Sequence, residues 1–248
     1  MSRLARLRAE TGAGWRAFVR RRTAVFFTFL FPALIILIFG ALIQTQQGDG
    51  GLFAEPAGYY VPGYLAVVVL LTPLSRVGST VARHRSDRRF EKLATTPLTK
   101  REWLAAQTAV NAAVIGAASL LLLGLLVAVT DARVGPAPSV ALFVLTGVVL
   151  FCGIGAAIGR LAGSQDGVIA VSNTVGFPLL FLSETFVPPS LLPGWFEPVV
   201  ALSPLTYFSR GVRAATYGDG AVWSNLAIVA AVAVVAFLVG AALLPWTE

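Results

Sequence analysis

From Thr23 to Gly48 the chain runs without a single charged residue, and that run decides its class. About 20 residues at 1.5 Å per residue cross a hydrocarbon core of roughly 30 Å, so a run of this length predicts a spanning helix. A cleaved signal peptide would have an apolar core of only about 7–15 residues, followed by a small-x-small site. Charge-free runs recur along the sequence. Only 12% of its 248 residues are charged, against about a quarter in soluble domains. The expectation is an all-α integral membrane protein.

The runs place six transmembrane helices at about 24–43, 60–80, 104–129, 139–159, 168–186 and 222–246, in a single membrane domain covering 1–248. Residues 1–22 carry seven Arg against Glu10, with Trp15, Phe18 and Val19 at i, i+3 and i+4. That spacing predicts an amphipathic helix lying on the membrane surface. Between the fifth and sixth spans, Pro188, Pro189, Pro193, Pro198 and Pro204 forbid a continuous helix through an apolar segment. Residues 187–220 are expected to form a broken, re-entrant segment on the outer side, buried against protein.

Orientation follows from the basic residues. Sixteen of the 19 fall in the N-terminal segment, in the loop between spans two and three, or at Arg76 and Arg160. Arg133, Arg210 and Arg213 fall on the opposite side. The positive-inside rule then places both termini in the cytoplasm, with the protein in the plasma membrane. The net charge of +7 is explained by these loops beside membrane lipid, so no nucleic-acid partner is expected.

Enzyme chemistry is nearly missing. Cys152 is the sole cysteine and His84 the sole histidine, too few for a zinc site or an intrachain disulfide. No GxxxxGK[ST] phosphate loop occurs. No catalytic, metal or cofactor residues are expected in this chain.

The charged loop 83–103 contains RRFEKLATTPLTKREW. Phe90, Leu93 and Ala94 fall at i, i+3 and i+4 on one side of a short helix that Pro97 ends. Thr99 and Glu102 then form a capping-box pattern at the entry to span three, with Leu98 and Trp103 in the staple positions. An apolar patch beside charges suits docking on a protein; a helix lying on anionic headgroups suits the same residues.

Four stretches carry a family resemblance. They are Val61-Pro62-Gly63-Tyr64-Leu65-Ala66, the RRFEKLATTPLTKREW loop, Phe177-Pro178 followed by FLSETFVPPSLLPGWF, and Ser203-Pro204-Leu205-Thr206-Tyr207 ahead of Arg213. In this order and spacing the chain resembles the membrane permeases of type-2 ATP-binding-cassette (ABC) exporters. The resemblance implies that the loop helix is a coupling helix seated in a groove of a separate ATPase subunit. Arg88, Arg89, Phe90, Glu91, Lys92 and Leu93 are the implied coupling residues, with Phe90, Glu91 and Leu93 on the family's recurrent positions. It also implies two ATPase copies holding ATP and magnesium, and a second permease as a homodimer or a sibling chain. Upstream the sequence departs from the family pattern: His84, Ser86, Arg88 and Arg89 stand where many members have an acidic pair and a Gly-Thr step. Aspartate at Phe90 and Leu93 together is expected to remove transport and ATPase binding while sparing insertion.

The remaining candidates are polar, small or charged positions within or beside the spans. Glu184 lines an export path, pairs with Arg210 or Arg213, or sits in the outer headgroup zone. Asn173 contacts substrate or bonds between helices. Gly153, Gly155 and Gly159 form a small face for helix packing, and Arg76 snorkels to the interface. The alternatives to a permease are a membrane-embedded lipid-modifying enzyme built on Glu184, Glu197, Arg210 and Arg213, and an ion-driven secondary transporter. Short outer loops fit a lipid-like or hydrophobic cargo.

Overall fold

A computed structural model describes residues 2–38, 57–129, 137–186, 193–217 and 220–246, and the described residues are helical with connecting turns. In chain order the helices are α1 (Arg3–Val19), α2 (Arg22–Ile36), α3 (Val61–Ser86), α4 (Arg89–Ala94) and α5 (Lys100–Val129). There follow α6 (Pro138–Leu161), α7 (Gln165–Phe181), α8 (Glu197–Leu202), α9 (Pro204–Tyr217) and α10 (Val222–Leu243). Single turns of 3-10 helix precede α3 and α8.

Among the described residues four helices are long and apolar enough to cross a membrane: Gly58–Ser86, Lys100–Val129, Pro138–Leu161 and Val222–Leu243. They coincide with the second, third, fourth and sixth predicted spans; the second and third run several residues further into the charged loop between them, and the sixth ends three residues earlier. Span five is corrected. Its helix begins at Gln165, capped by Ser164 Oγ accepting from Gly167 N at 3.0 Å, and ends at Phe181, not at 186. Two features shorten it: Pro178 within its last turn, and Glu184 in the left-handed region at φ 56°. The end of span one (39–43), Arg133, and 187–192 with Pro188 and Pro189 lie outside the described residues.

The central element is α6, packed between α3 and α10 through its glycines. A Cβ on Gly155 would stand 2.8 Å from the Leu74 carbonyl oxygen, and one on Gly159 would strike the backbone of Gly78. Gly153 meets α10 at Ala236, and Gly240 of α10 meets Gly153 in return. Small residues let backbones approach, which supplies the close contact that lipid cannot. Around this spine, Leu65, Val69, Phe143, Phe151, Phe208 and Val212 are buried.

The N-terminal helix differs from the surface-lying helix expected. Its contacts with α5 advance together along both helices. Arg6 pairs with Glu102, Gln107 donates weakly to Glu10 at 3.5 Å, Gly14 faces Val110, and Phe18 clusters with Val110 and Val114. So α1 runs parallel to α5 and lines its first half. Burial lifts the Glu10 carboxyl above its ordinary value, partly offset by the Gln107 hydrogen bond. The apolar residues meant to face lipid are split: Phe18 is buried, while Trp15 and Val19 are exposed.

Candidate functional site: the loop helix and its aromatic seat

The chain leaves α3 at Ser86 and turns at Arg88, which adopts φ 51° and ψ 33°. That left-handed geometry costs a non-glycine residue about 1–2 kcal/mol and lets α4 fold back immediately. At its far end, Thr95 Oγ1 donates to the Lys92 carbonyl at 2.8 Å and Thr96 Oγ1 to the Leu93 carbonyl at 2.6 Å. Both satisfy carbonyls that a six-residue helix cannot pair internally. The capping box then forms as expected. Glu102 N donates to Thr99 Oγ1 at 3.2 Å, and Thr99 N donates to Glu102 Oε2 at 2.9 Å.

Phe90 turns inward. It is 2% exposed, and its ring lies 5.2 Å from Trp103, 5.5 Å from His84 and 5.6 Å from Trp246, centroid to centroid. The Trp103 contact is edge-on, the geometry in which an aromatic pair contributes about 0.5–1.5 kcal/mol beyond its burial. Each partner comes from a different membrane helix: His84 from the end of α3, Trp103 from the start of α5, and Trp246 from just beyond α10. The loop helix is therefore seated on three helix ends at once.

This corrects the apolar docking patch read from the sequence. Phe90 belongs to the interior, and Leu93 is half-buried against the same core. On α4 and its N-cap the exposed residues are Arg88, Arg89, Glu91 and Lys92. Arg89 lies 3.4 Å from Asp87 in a solvent-exposed pair. Aspartate at Phe90 would thus break the seat itself, so it does not isolate a docking contact.

Two further ties hold this end together, and neither has a local sequence signal. Arg6 reaches Glu102 with two hydrogen bonds, of 2.6 and 3.2 Å, clamping α1 to the carboxylate that caps α5. Hydrogen bonding to Glu102 raises the Arg6 guanidinium above its ordinary value. Arg85 donates to the Arg160 carbonyl at 2.5 Å and to the Ala162 carbonyl at 2.9 Å, capping the C-terminus of α6 with a cation.

The remaining three motifs meet at the opposite end of α3. A Cβ on Gly63 would stand 2.7 Å from the ring of Phe186, which joins the VPGYLA stretch to FLSETF. Glu184 is 4% exposed and receives Arg210 bidentately at 2.6 and 2.8 Å, while Arg213 donates to the Glu184 carbonyl at 2.9 Å. The Arg213 guanidinium also sits 4.0 Å above the Tyr59 ring. Thr185 and Ser209 hydroxyls are 2.9 Å apart, and Ser183 and Thr185 hydroxyls 2.6 Å. Of the readings weighed for Glu184, pairing is the one observed. Hydrogen bonding to Glu184 lifts the Arg210 guanidinium above its ordinary value.

Asn173 is exposed on α7, and among the described residues no hydrogen bond joins it to another helix. Arg76 does not snorkel freely. Its guanidinium lies 4.3 Å above the Phe18 ring and 3.4 Å from Asn111 Oδ1. Arg210 and Arg213 are engaged with Glu184, and Glu197 opens α8.

The sequence profile of the ABC-2 type transporter family matches residues 6–217, from α1 through α9. Over 203 residues the chain is 27% identical to the daunorubicin resistance ABC transporter permease protein DrrB1 of Streptomyces coeruleorubidus, covering 78% of this chain and 69% of that protein. It is 26% identical over 209 residues to the inner membrane transport permease YadH of Escherichia coli strain K12, covering 80% of this chain and 79% of that protein. Membership of this family implies an ATPase partner and a transporter component rather than an enzyme. The four apolar spans, the charged loop and the family match agree: the chain belongs to the ABC-2 type transporter family and is a transmembrane permease subunit of an ABC transporter.

Proposed function

We propose that α4 is the coupling helix of an exporter, meeting the ATPase through Arg88, Arg89, Glu91 and Lys92 and passing its displacement inward through Phe90. The observation that carries this reading is the position of Phe90 among His84, Trp103 and Trp246, with the charged residues of the same helix left outside. A short helix docked on a partner moves as a unit. One wedged between three helix ends cannot move without shifting α3, α5 and α10.

The working assembly is two permeases, as a homodimer or with a sibling chain, and two ATPase subunits holding ATP and magnesium. Six spans per permease, with α2 and α7 as the first and fifth, leave both termini in the cytoplasm of a plasma-membrane protein. Nucleotide on the partner biases an equilibrium between two packed states. Asn173 supports a second copy against α7, since an amide facing hydrocarbon is costly and one facing a partner or a path is not. The cargo is a hydrophobic or lipid-like molecule, a reading supported by the drug-resistance role in the name of the DrrB1 relative.

Charge reversal separates docking from folding. Glu91→Arg with Lys92→Glu should remove ATPase co-purification and ATP-driven transport while leaving the permease abundant and monodisperse. Phe90→Leu should keep the ATPase bound and lower transport per ATP hydrolysed. Full co-purification and transport in the charge-reversed variant would defeat the docking assignment.

A further inference from the structure

Both α5 and α10 pack on α6, each more extensively than on the other, and between them a cleft of about 400 Å³ stays open. Ala105, Ala109 and Ala112 wall it on the α5 side, Phe237 and Leu238 on the α10 side, and Leu145 of α6 lines its floor. The alanines are what keep it open, since nothing on α5 is long enough to reach across. Thr108 brings a hydroxyl to the wall, but that hydroxyl is already used: its Oγ1 donates to the Leu104 carbonyl at 2.8 Å. The cleft therefore asks for an apolar occupant, because an empty one forfeits dispersion contacts along every wall.

Depth and charge identify that occupant. The 22 residues of α10 span about 33 Å, close to the hydrocarbon thickness, so its end at Leu243 marks a membrane boundary. Lys100 opens α5 at that boundary, with its Nζ 3.5 Å from the Ala242 carbonyl. Arg101 is exposed and stands one turn before Ala105 on the same face of α5, while Ala242 stands one turn beyond Leu238 on α10. The two cations thus sit at the mouth of the cleft. Its alanine wall runs from about 6 to about 16 Å inside Arg101, the depth of one leaflet. Among the described residues neither cation has a carboxylate in salt-bridge contact, and the neighbouring Glu102 is taken by Arg6. A second copy of the chain fits poorly. A helix about 10 Å across fills about 420 Å³ in a single turn, whereas this cleft extends two turns along α5.

We propose that the cleft between α5 and α10 holds one acyl chain of an anionic phospholipid from the leaflet on the α4 side, with its phosphate at Lys100 and Arg101. Basic mouths between membrane helices are the setting in which such headgroups bind, and a phosphate accepts from more than one cation. The tail braces α5 against α10 beside the seat of α4.

The test uses the full-length permease purified with its ATPase subunit and placed in nanodiscs. These contain a trace of phosphatidylglycerol, or of phosphatidylcholine, with a photoreactive diazirine in mid-chain, and labelled peptides are mapped by mass spectrometry. Phosphatidylglycerol should label residues 105–112 and 234–238 above every other lipid-facing stretch. Its preference there over phosphatidylcholine should be about 25-fold, at about fivefold per cation, and Lys100→Gln with Arg101→Gln should remove that preference. Ala109→Phe fills the cleft from its exposed side and should remove the labelling. Leu120→Phe, also exposed on α5 but about 16 Å further along, should leave it intact. Labelling spread over all lipid-facing helices, or unchanged in Ala109→Phe, would reduce the cleft to ordinary bilayer contact and overturn the site. Equal labelling by the two lipids would overturn the headgroup assignment. Disulfide-linked permease pairs through Ala109→Cys, with Cys152 replaced by alanine, would give the cleft to a second copy and overturn the proposal as well.

Discussion

Phe90 shows how little spacing alone says about direction. Its place at i, with Leu93 and Ala94 at i+3 and i+4, correctly predicts one apolar face, but a six-residue helix can turn that face either way. Three rings contributed by residues at 84, 103 and 246 decide it. Phe90→Ala should therefore destabilise the protein by about 3–5 kcal/mol, the range for a buried phenylalanine, as read by thermal unfolding in detergent. Glu184 is a second case. Glu184→Gln removes the charge facing Arg210, which is 42% exposed, so the loss should be about 1–2 kcal/mol, below that of a fully buried pair. Glu10 gives a pH signature. Burial holds its folded pKa above the unfolded value, so its ionised form opposes folding. The penalty is complete above the raised pKa and vanishes below the ordinary carboxylate value. Glu10→Gln should accordingly raise the melting temperature at neutral pH and leave it unchanged in acid.

At the scale of elements, α6 depends on backbone contact. Gly159→Val places a branched side chain where α3 already stands, and should separate α3 from α6. The expected result is loss of folded, monodisperse protein, whereas Gly116→Val, whose added Cβ would meet nothing, should be tolerated. The small face of α6 was legible because a 3.6-residue period carries it within one helix. The four long apolar helices were legible from charge-free length, which is also a local property. What was not legible depends on distant pairing. The course of α1 along α5 rests on Arg6 meeting Glu102, 96 residues away. The early end of α7 rests on Glu184 taking a left-handed backbone held by Arg210 and Arg213. Neither has a periodic signature.

Across the whole molecule, the four resemblance motifs sort to the two ends of α3, a helix of 26 residues and so about 39 Å long. One end holds the loop helix and its aromatic seat. The other holds the knot of Glu184, Arg210 and Arg213 against the VPGYLA turn. Between them α6 and its glycines form a closely packed spine, so in the proposed coupling role a displacement at α4 would be carried along α3, α5 and α10 without being absorbed in a soft core. That arrangement suits a permease worked from one side of the membrane by a separate ATPase.

Site-directed crosslinking to the ATPase subunit tests the central claim most directly, with single cysteines at 90, 91 and 92 in a background where Cys152 is replaced by alanine. Glu91→Cys and Lys92→Cys should crosslink to the partner, and Phe90→Cys should not. Crosslinking through position 90 with none at 91 or 92 would contradict the account.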